Sequence, residues 1–256
     1  MTLAQAVISG MIQGITEFFP ISSSGHLVIL HHFFGLKEVM LTFDVFLHFA
    51  TLVSVIIFFR KDIIAMFGSD RAMLKFIILG CIPTFIIGIL FKDAVESMFT
   101  SVKGVGIFFI ITGVFLIIAS IVGRYREKTR KTRPLNILNS IFIGIAQGIA
   151  IIPGISRSGA TIGTALVSGI KGETALKFSF LLSLPVVLGA NLLKAKQIYG
   201  NLVSMDPIPF LAGGIVAMVT GLIAIKVLFG ILRKNLFYLF GIYCLIAGFL
   251  VLISGK

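Results

Sequence analysis

Six times between residues 41 and 254 the chain stays apolar for close to twenty residues, at about 41–59, 76–92, 104–123, 174–193, 210–229 and 236–254. A helix needs about 20 such residues to cross a hydrocarbon core of about 30 Å. In lipid every backbone amide and carbonyl must find its partner inside the protein, which leaves helices as the spanning element for runs of this length. Composition agrees with that demand. The 256 residues are 57% hydrophobic and 12% charged, with a mean hydropathy of +1.10, whereas soluble domains carry about 25% charged residues. The expected class is an all-α polytopic membrane protein.

Two further apolar stretches do not fit the spanning pattern. Residues 3–20 are long enough, but Gln13, Thr16 and Glu17 sit late in them and Pro20 closes them. Leu27 to Phe34, which follows the Ser22-Ser23-Ser24-Gly25-His26 turn, is only about two helical turns. Residues 3–34 therefore read as a re-entrant hairpin, whose irregular tip is tolerated at membrane depth when protein or a water-filled cavity surrounds it. Residues 135–152 and 160–170 make a second hairpin around Pro153-Gly154-Ile155-Ser156-Arg157-Ser158-Gly159.

The two tips are copies. At an offset of 134 residues, Gln147-Gly148-Ile149 aligns with Gln13-Gly14-Ile15, and Ile155-Ser156-Arg157-Ser158-Gly159 with Ile21-Ser22-Ser23-Ser24-Gly25. Phe46-Leu47 matches Phe180-Leu181 at the same offset. The expected layout is one membrane domain over 1–256, with repeat one at about 1–123, a basic loop at 124–134 and repeat two at about 135–256. Each repeat is a re-entrant helical hairpin plus three transmembrane helices. Three is odd, so the second repeat starts on the opposite side and the two repeats have inverted topology, an arrangement that puts the working site near the midplane.

Loop charge sets the orientation. By this count fifteen Lys and Arg lie on the side of the 124–134 loop, against six (Lys37, Lys92, Lys103, Lys194, Lys196 and Lys256) on the other. The basic side is expected to be cytoplasmic and both termini outside. The same rule accounts for the net charge of +12, so nucleic acid is not an expected partner. Cys81 and Cys244 fall inside apolar runs and read as small core residues. No Lys or Arg precedes Lys37, so a signal peptide with a basic start is not expected.

The polar residues of the tips suggest chemistry. Gln13 and Glu17 are four apart and share a helix face. A carboxylate at membrane depth faces a cavity or a partner; Glu17 reads either as the ion-pair partner of Arg157 that holds the hairpins together, or as a metal ligand or tuning group at a reacting centre. Ser22 suits the cap of the short helix after it. Ser22, Ser23 and Ser24 beside His26 read either as a helix turn or as a hydroxyl within reach of a proton-handling imidazole. Arg157 is a planar fork suited to phosphate oxygens, flanked by Ser156 and Ser158, with Gly159 and Thr161 beyond. Small residues admit close approach to backbone amides, and a helix starting near Ser158 points its positive end at an anion. Together these read as an oxyanion site for phosphate or diphosphate. Asp44 and His48, also four apart, read equally as a metal-related pair or an internal hydrogen-bonded one, and His31 and His32 as interfacial.

With these residues in view, the chain resembles the membrane-embedded undecaprenyl-diphosphate phosphatases of bacteria, the family linked to bacitracin resistance. The resemblance rests on Gln13 to His26, on Pro153 to Thr161, and on length and span pattern across the whole chain. It implies hydrolysis of undecaprenyl diphosphate to undecaprenyl phosphate and inorganic phosphate, which recycles the lipid carrier of cell-wall synthesis. It also implies a divalent cation (magnesium or calcium), and residence in the bacterial cytoplasmic (inner) membrane with the site opening to the extracytoplasmic face. Carried over by position, Glu17, Ser23, His26 and Arg157 are the catalytic residues, with Glu17 and Gln13 toward the metal. Ser22, Ser24, Gly25, Ser156, Ser158, Gly159 and Thr161 surround the substrate. His48 matches no residue of the resemblance, where a glutamine is more familiar. The expected partners are the lipid substrate, the surrounding membrane lipids and a second copy in a homodimer.

Two routes fit these residues: attack by Ser23 with His26 as base, or attack by a water activated by Glu17 and His26. A transporter or flippase of a prenyl phosphate or other anion is the rival class, motivated by the inverted repeats. Hydrolysis calls for a nucleophile and a proton handler besides an anion grip, and the tips hold all of these.

Overall fold

The computed structural model describes residues 1–36, 40–91, 98, 101–202 and 206–254, with backbone alone at 40, 41 and 193–202. Among the described residues the chain is all-helical. In order the helices are α1 (Leu3–Phe18), α2 (Ser23–Phe34), α3 (Met40–Phe58), α4 (Arg60–Met66), α5 (Arg71–Leu90), α6 (Val102–Lys128), α7 (Ile137–Ile149), α8 (Arg157–Val167), α9 (Gly172–Leu202), α10 (Pro207–Arg233) and α11 (Tyr238–Ser254).

The six expected spans correspond to α3, α5, α6, α9, α10 and α11. Four of them, α5, α6, α10 and the Gly172–Leu192 part of α9, are long and apolar enough to cross a membrane on their own, and α3 qualifies jointly with α4. At 17 residues α11 is a shorter apolar helix, at the lower limit for a span of about 17–25 residues. The chain is a multi-pass membrane protein. The hairpin helices are shorter: α1 has 16 residues, α2 12, α7 13 and α8 11, or about 16–24 Å at 1.5 Å per residue. None reaches across a core of about 30 Å.

One helix departs from the sequence reading. Residues 60–66, expected as loop, form α4, bent 75° from α3. Its first turn carries Arg60, Lys61 and Asp62 and its last buries Met66. That amphipathic pattern suits a helix lying along the end of the bundle, where Asp62 pairs with Lys177 of α9 at 2.5 Å.

Helices pack through glycine, as expected where lipid gives no hydrophobic drive between them. Along α1, Gly10 abuts the Gly213 backbone and Gly14 abuts Ala217 and Gly221 of α10, so the two run parallel. Along α7, Gly144 abuts Gly80 and Pro83, and Gly148 abuts Ile87 of α5, again parallel. Between α6 and α11 the order reverses: Gly106 meets Gly248 and Gly113 meets Gly241, so they are antiparallel. Each hairpin's first helix is thus embedded in the opposite half. A core of Phe18, Phe59 and Phe180 closes beneath the tips, Phe18 and Phe180 meeting edge to face at 5.4 Å.

The basic ends collect at one pole. Glu173–Arg233 at 2.6 Å, Arg124 Nη2 to the Asn235 carbonyl at 2.8 Å and the Arg133 amide to the Gly169 carbonyl at 2.8 Å tie the end of α6, its following loop, and the ends of α9 and α10 together. Of the six basic residues assigned to the other side, Lys37, Lys92 and Lys256 lie outside the described residues, as do the side chains of Lys194 and Lys196.

Gly10→Ala should test the packing. Its methyl would meet the Gly213 carbonyl oxygen, a backbone atom that cannot turn aside, so the expected loss is roughly 1–3 kcal/mol, read as a lower thermal midpoint in detergent. Gly88→Ala, with open space at that position, should leave the midpoint unchanged or raise it slightly through helix propensity.

Candidate active site

The first tip is set by four polar contacts. Ser22 caps α2, accepting from the Gly25 amide at 3.4 Å, and adopts φ +67°, in the left-handed region that L residues rarely enter. Its carbonyl accepts from the His26 amide at 3.2 Å and lies 2.8 Å from His26 Nδ1. The turn swings Ser23 back over the end of α1, where its hydroxyl donates to Glu17 Oε2 at 2.5 Å.

The second tip is built the same way. Ser156 caps α8, accepting from the Gly159 amide at 3.0 Å, which starts the helix at Arg157. Thr112 of α6 braces the loop, donating to the Gly154 carbonyl at 3.1 Å. Gly154 has φ +94°, and a side chain there would strike Phe108 and the Val105 carbonyl; glycine meets both demands.

The tips join at Glu17. Arg157 Nη2 bonds Glu17 Oε1 across the two halves. Glu17 Oε2 accepts from Gln13 Nε2 at 3.1 Å as well as from Ser23, and His48 Nε2 of α3 stands 3.5 Å away. Glu17 is only 8% exposed. Ser158 adds a second bridge, donating to the Phe19 carbonyl at 3.2 Å.

Beside this cluster lies a cavity of about 300 Å³. Its polar wall holds Glu17, Asp44, His48, Arg157, Ser22, Ser23, Ser24 and Ser156, and its apolar wall Leu27, Val28, Ile151, Val186 and Val187. Gln147 and Asn191 also line it. Larger, at about 360 Å³, is a cleft among Arg124, Arg126, Lys171 and Glu173, lined by no residue of either motif. The chemistry of the lining, rather than size, marks the first as the candidate site.

The expected residues divide between the cavity wall and its support. Gly25 packs on Phe109, where an added methyl would come within 2.6 Å. Gly159 packs against Ser156 and Leu116. Thr161 is fully buried and bonded to Ser179 at 2.6 Å and to the Arg157 carbonyl at 2.9 Å. These three position α2 and α8. His26 is directed away from the cluster: Nε2 lies 2.7 Å from the Tyr243 hydroxyl of α11. The imidazole beside Glu17 belongs to His48, whose ring bonds the backbone carbonyl of Asp44 at 2.7 Å, while the Asp44 carboxylate faces the buried His31 at 3.5 Å.

Gln13 and Glu17 do not by themselves make a cation site. Glu17 accepts from Arg157, Ser23 and Gln13, and Gln13 contributes only Oε1, buried and without a partner. Among the described residues no three His, Cys, Asp or Glu side chains gather as metal ligands. The donor set suits an anion: Arg157 Nη1 is buried with no partner, beside the hydroxyls of two capped helix starts.

Known proteins resemble this chain over nearly its whole length. The family description "Bacitracin resistance protein BacA" matches residues 6–250. The undecaprenyl-diphosphatase of Carboxydothermus hydrogenoformans is 45% identical over 263 residues, covering 100% of both chains. That of Halothermothrix orenii is 41% identical over 99% of this chain and 98% of its own, and that of Desulforapulum autotrophicum 38% identical over 100% and 99%.

Glu17→Gln should leave Arg157 with no counter-charge in a buried place, at a cost of about 3–5 kcal/mol, seen as a large drop in thermal midpoint. Glu17→Gln combined with Arg157→Met should recover most of that stability, because both charges leave together. Equal losses in the single and double variants would mean that the ion pair is not what holds the tips.

Proposed function

The chain belongs to the bacitracin resistance protein BacA family, and from that membership we infer an integral membrane phosphatase that hydrolyses undecaprenyl diphosphate to undecaprenyl phosphate and inorganic phosphate. This activity recycles the lipid carrier for cell-wall synthesis and confers bacitracin resistance. The observation that carries the reading to particular residues is the junction at Glu17, where Arg157 from one tip and Ser23 from the other share one carboxylate on the wall of one cavity.

The Glu17–Arg157 pair is the resting state of the site. A diphosphate entering the cavity offers Arg157 a doubly charged partner in place of a carboxylate, with Ser156 and Ser24 as further donors, and the apolar wall of Leu27, Val28, Val186 and Val187 leads the prenyl tail toward lipid. Release of Arg157 frees Glu17 to take a proton. In the covalent route Ser23 Oγ attacks the terminal phosphorus and passes its proton to Glu17. The bond from that phosphorus to the bridging oxygen breaks, undecaprenyl phosphate leaves, and water then cleaves the phosphoserine. In the direct route water attacks and Glu17 takes its proton. Either way the main contribution is positioning and charge stabilisation in a water-poor site. His26, bonded to the Ser22 carbonyl, serves by holding the turn that aims Ser23. The proposed cofactor is a divalent cation; Gln13 Oε1 and Glu17 would hold it only together with the substrate, and it would supply neutralisation of charge developing on phosphate.

The halves are taken as inverted. α6 and α11 are antiparallel by their glycine contacts; α5 and α10, each the crossing before them, then point oppositely although they occupy matching places in the two repeats. With the basic pole in the cytoplasm, the chain sits in the bacterial inner membrane and the first tip enters from outside, which opens the cavity to the extracytoplasmic face. Surrounding lipid covers its apolar belt, and a homodimer is the proposed assembly. The transport reading has no separate support, since the relatives just described are named for hydrolysis.

Purified protein given undecaprenyl diphosphate in detergent should release inorganic phosphate. Arg157→Ala and Glu17→Ala should lower the rate by about 100-fold or more, the scale of losing one preorganised charge-stabilising donor; retained turnover in either would sink this site. Phosphoserine trapped at Ser23 by acid quench would establish the covalent route, and normal turnover in Ser23→Ala would exclude it.

A further inference from the structure

We propose that the cleft at the basic pole is a second ligand site, which takes the phosphodiester headgroup of an anionic phospholipid from the adjacent leaflet. The cleft shares no lining residue with the cavity at Glu17, so the inference stands apart from the phosphatase reading.

Depth in the membrane comes first. The cleft is walled by the last turn of α6, the α8–α9 turn with the start of α9, and the last turn of α10. α6 and α10 have 27 residues each, or about 40 Å at 1.5 Å per residue. That matches a bilayer with its headgroups, about 40–45 Å, rather than the hydrocarbon core of about 30 Å. The ends of these helices therefore lie at headgroup level. Tyr125, in the last turns of α6, is exposed there as interfacial aromatics are. Ile121, three residues before Arg124 and on the same helix face, is also exposed, so lipid chains reach the wall just beneath the arginine.

The cations of the cleft are of two kinds. Arg124 and Arg233 are committed to the protein. Arg124 Nη2 donates to the Asn235 carbonyl at 2.8 Å, with its guanidinium 6.0 Å from the Tyr238 ring centre, and Arg233 pairs with Glu173 at 2.6 Å. Arg126 and Lys171 are not: among the described residues neither side chain has an ion pair or a hydrogen bond. Arg126 is nonetheless half-buried. It lies over Gly169, where an added Cβ would come 3.3 Å from Nη1. Gly169 holds φ +87° and its carbonyl accepts from the Arg133 amide at 2.8 Å, so a glycine turn and the loop after α6 together keep open the place that the guanidinium occupies.

Charge and donor chemistry then define the ligand. Four cations, Arg124, Arg126, Lys171 and Arg233, against the carboxylates of Glu127 and Glu173 leave the cleft with a net charge of +2. Its volume of about 360 Å³ falls within the range of about 300–1,000 Å³ of small-molecule sites. A phosphodiester carries one negative charge on oxygens that accept, which suits Arg126, Lys171 and the hydroxyls of Thr132 and Thr174 on the same wall. Basic pockets between membrane helices take anionic lipid headgroups by this chemistry. A soluble phosphate would satisfy the same donors, but the depth of the cleft and the exposed Ile121 beside it suit a ligand that brings acyl chains.

The test uses the full-length protein in detergent, with phosphatidylglycerol and phosphatidylcholine titrated separately and bound lipid counted by native mass spectrometry. The native chain should retain one phosphatidylglycerol more tightly than any phosphatidylcholine. Lys171→Gln, at an exposed position, should weaken that lipid about fivefold, and Lys171→Gln with Arg126→Gln about 30-fold, the scale of one and two basic contacts at an anionic membrane surface. Arg60→Gln with Lys61→Gln removes the same charge from α4, outside the cleft, and should leave binding unchanged. Thermal midpoints without lipid report that each variant is folded, and Lys171→Gln alone decides the matter if the double variant is not. Equal retention of the two lipids by the native chain would overturn the inference. So would equal weakening in the α4 variant, which would mean diffuse attraction to a basic pole, or displacement of phosphatidylglycerol by inorganic phosphate at equal concentration, which would assign the cleft to a soluble anion.

Discussion

The ion pair between Glu17 and Arg157 is the interaction on which the rest of the structure depends. A lone carboxylate at membrane depth is strongly disfavoured, and so is a lone guanidinium. Each is admissible only because the other is there, and they lie 140 positions apart in the chain. Neither hairpin is therefore a finished unit. Until the halves close, Glu17 has only Gln13, Ser23 and His48 from its own half, none of which carries a permanent positive charge.

That requirement explains the glycine contacts. A helix of 16 or 13 residues that does not cross the bilayer cannot be anchored at both interfaces, so its place must come from packing. α1 obtains it from α10 and α7 from α5, each in the opposite half, at backbone distances that a side chain at Gly10 or Gly144 would prevent. The exchange brings the tips face to face. Ser158 donating to the Phe19 carbonyl and Phe18 against Phe180 are consequences of the same closure. Serine and threonine hydroxyls then finish the join, as with Thr84 of α5 on the Gly144 carbonyl at 2.8 Å and Ser54 of α3 on the Met218 carbonyl at 2.8 Å.

Much of this was legible in the chain. The spans follow from length and hydropathy, and the shortness of Leu27 to Phe34 was enough to expect a hairpin. The 134-residue echo pointed to one composite site, with Glu17, Ser23 and His26 from the first copy and Arg157 from the second, and of these His26 turns to the Tyr243 hydroxyl instead. What sequence did not carry were directions of side chains at those positions. α4 carries too short a signal to predict, because its apolar residues Ile63, Ile64 and Met66 span one turn and sit among charges. His31 read as interfacial, yet it is buried on Asp44. His48 gave no motif signal at all, because its neighbour Glu17 is on another helix. The available hint was its spacing from Asp44, and the bond proves to run to the Asp44 backbone rather than to its carboxylate.

His26 shows why adjacency in a motif is not adjacency in a site. It stands three residues after Ser23, and on a helix that spacing gives neighbouring side chains. Yet the His26 ring is taken by the Ser22 carbonyl and the Tyr243 hydroxyl, and Ser22, just before α2, holds φ +67°. A residue held in that region costs about 1–3 kcal/mol and persists only when its surroundings over-determine it. Here they do so through His26: its amide and Nδ1 both engage the Ser22 carbonyl, and the Tyr243 hydroxyl fixes the far side of the ring. The bend that aims Ser23 at Glu17 is thus the bend that commits the ring of His26 elsewhere. An imidazole spent on holding the backbone beside Ser23 leaves the place beside the carboxylate to another helix, and α3 fills it with His48.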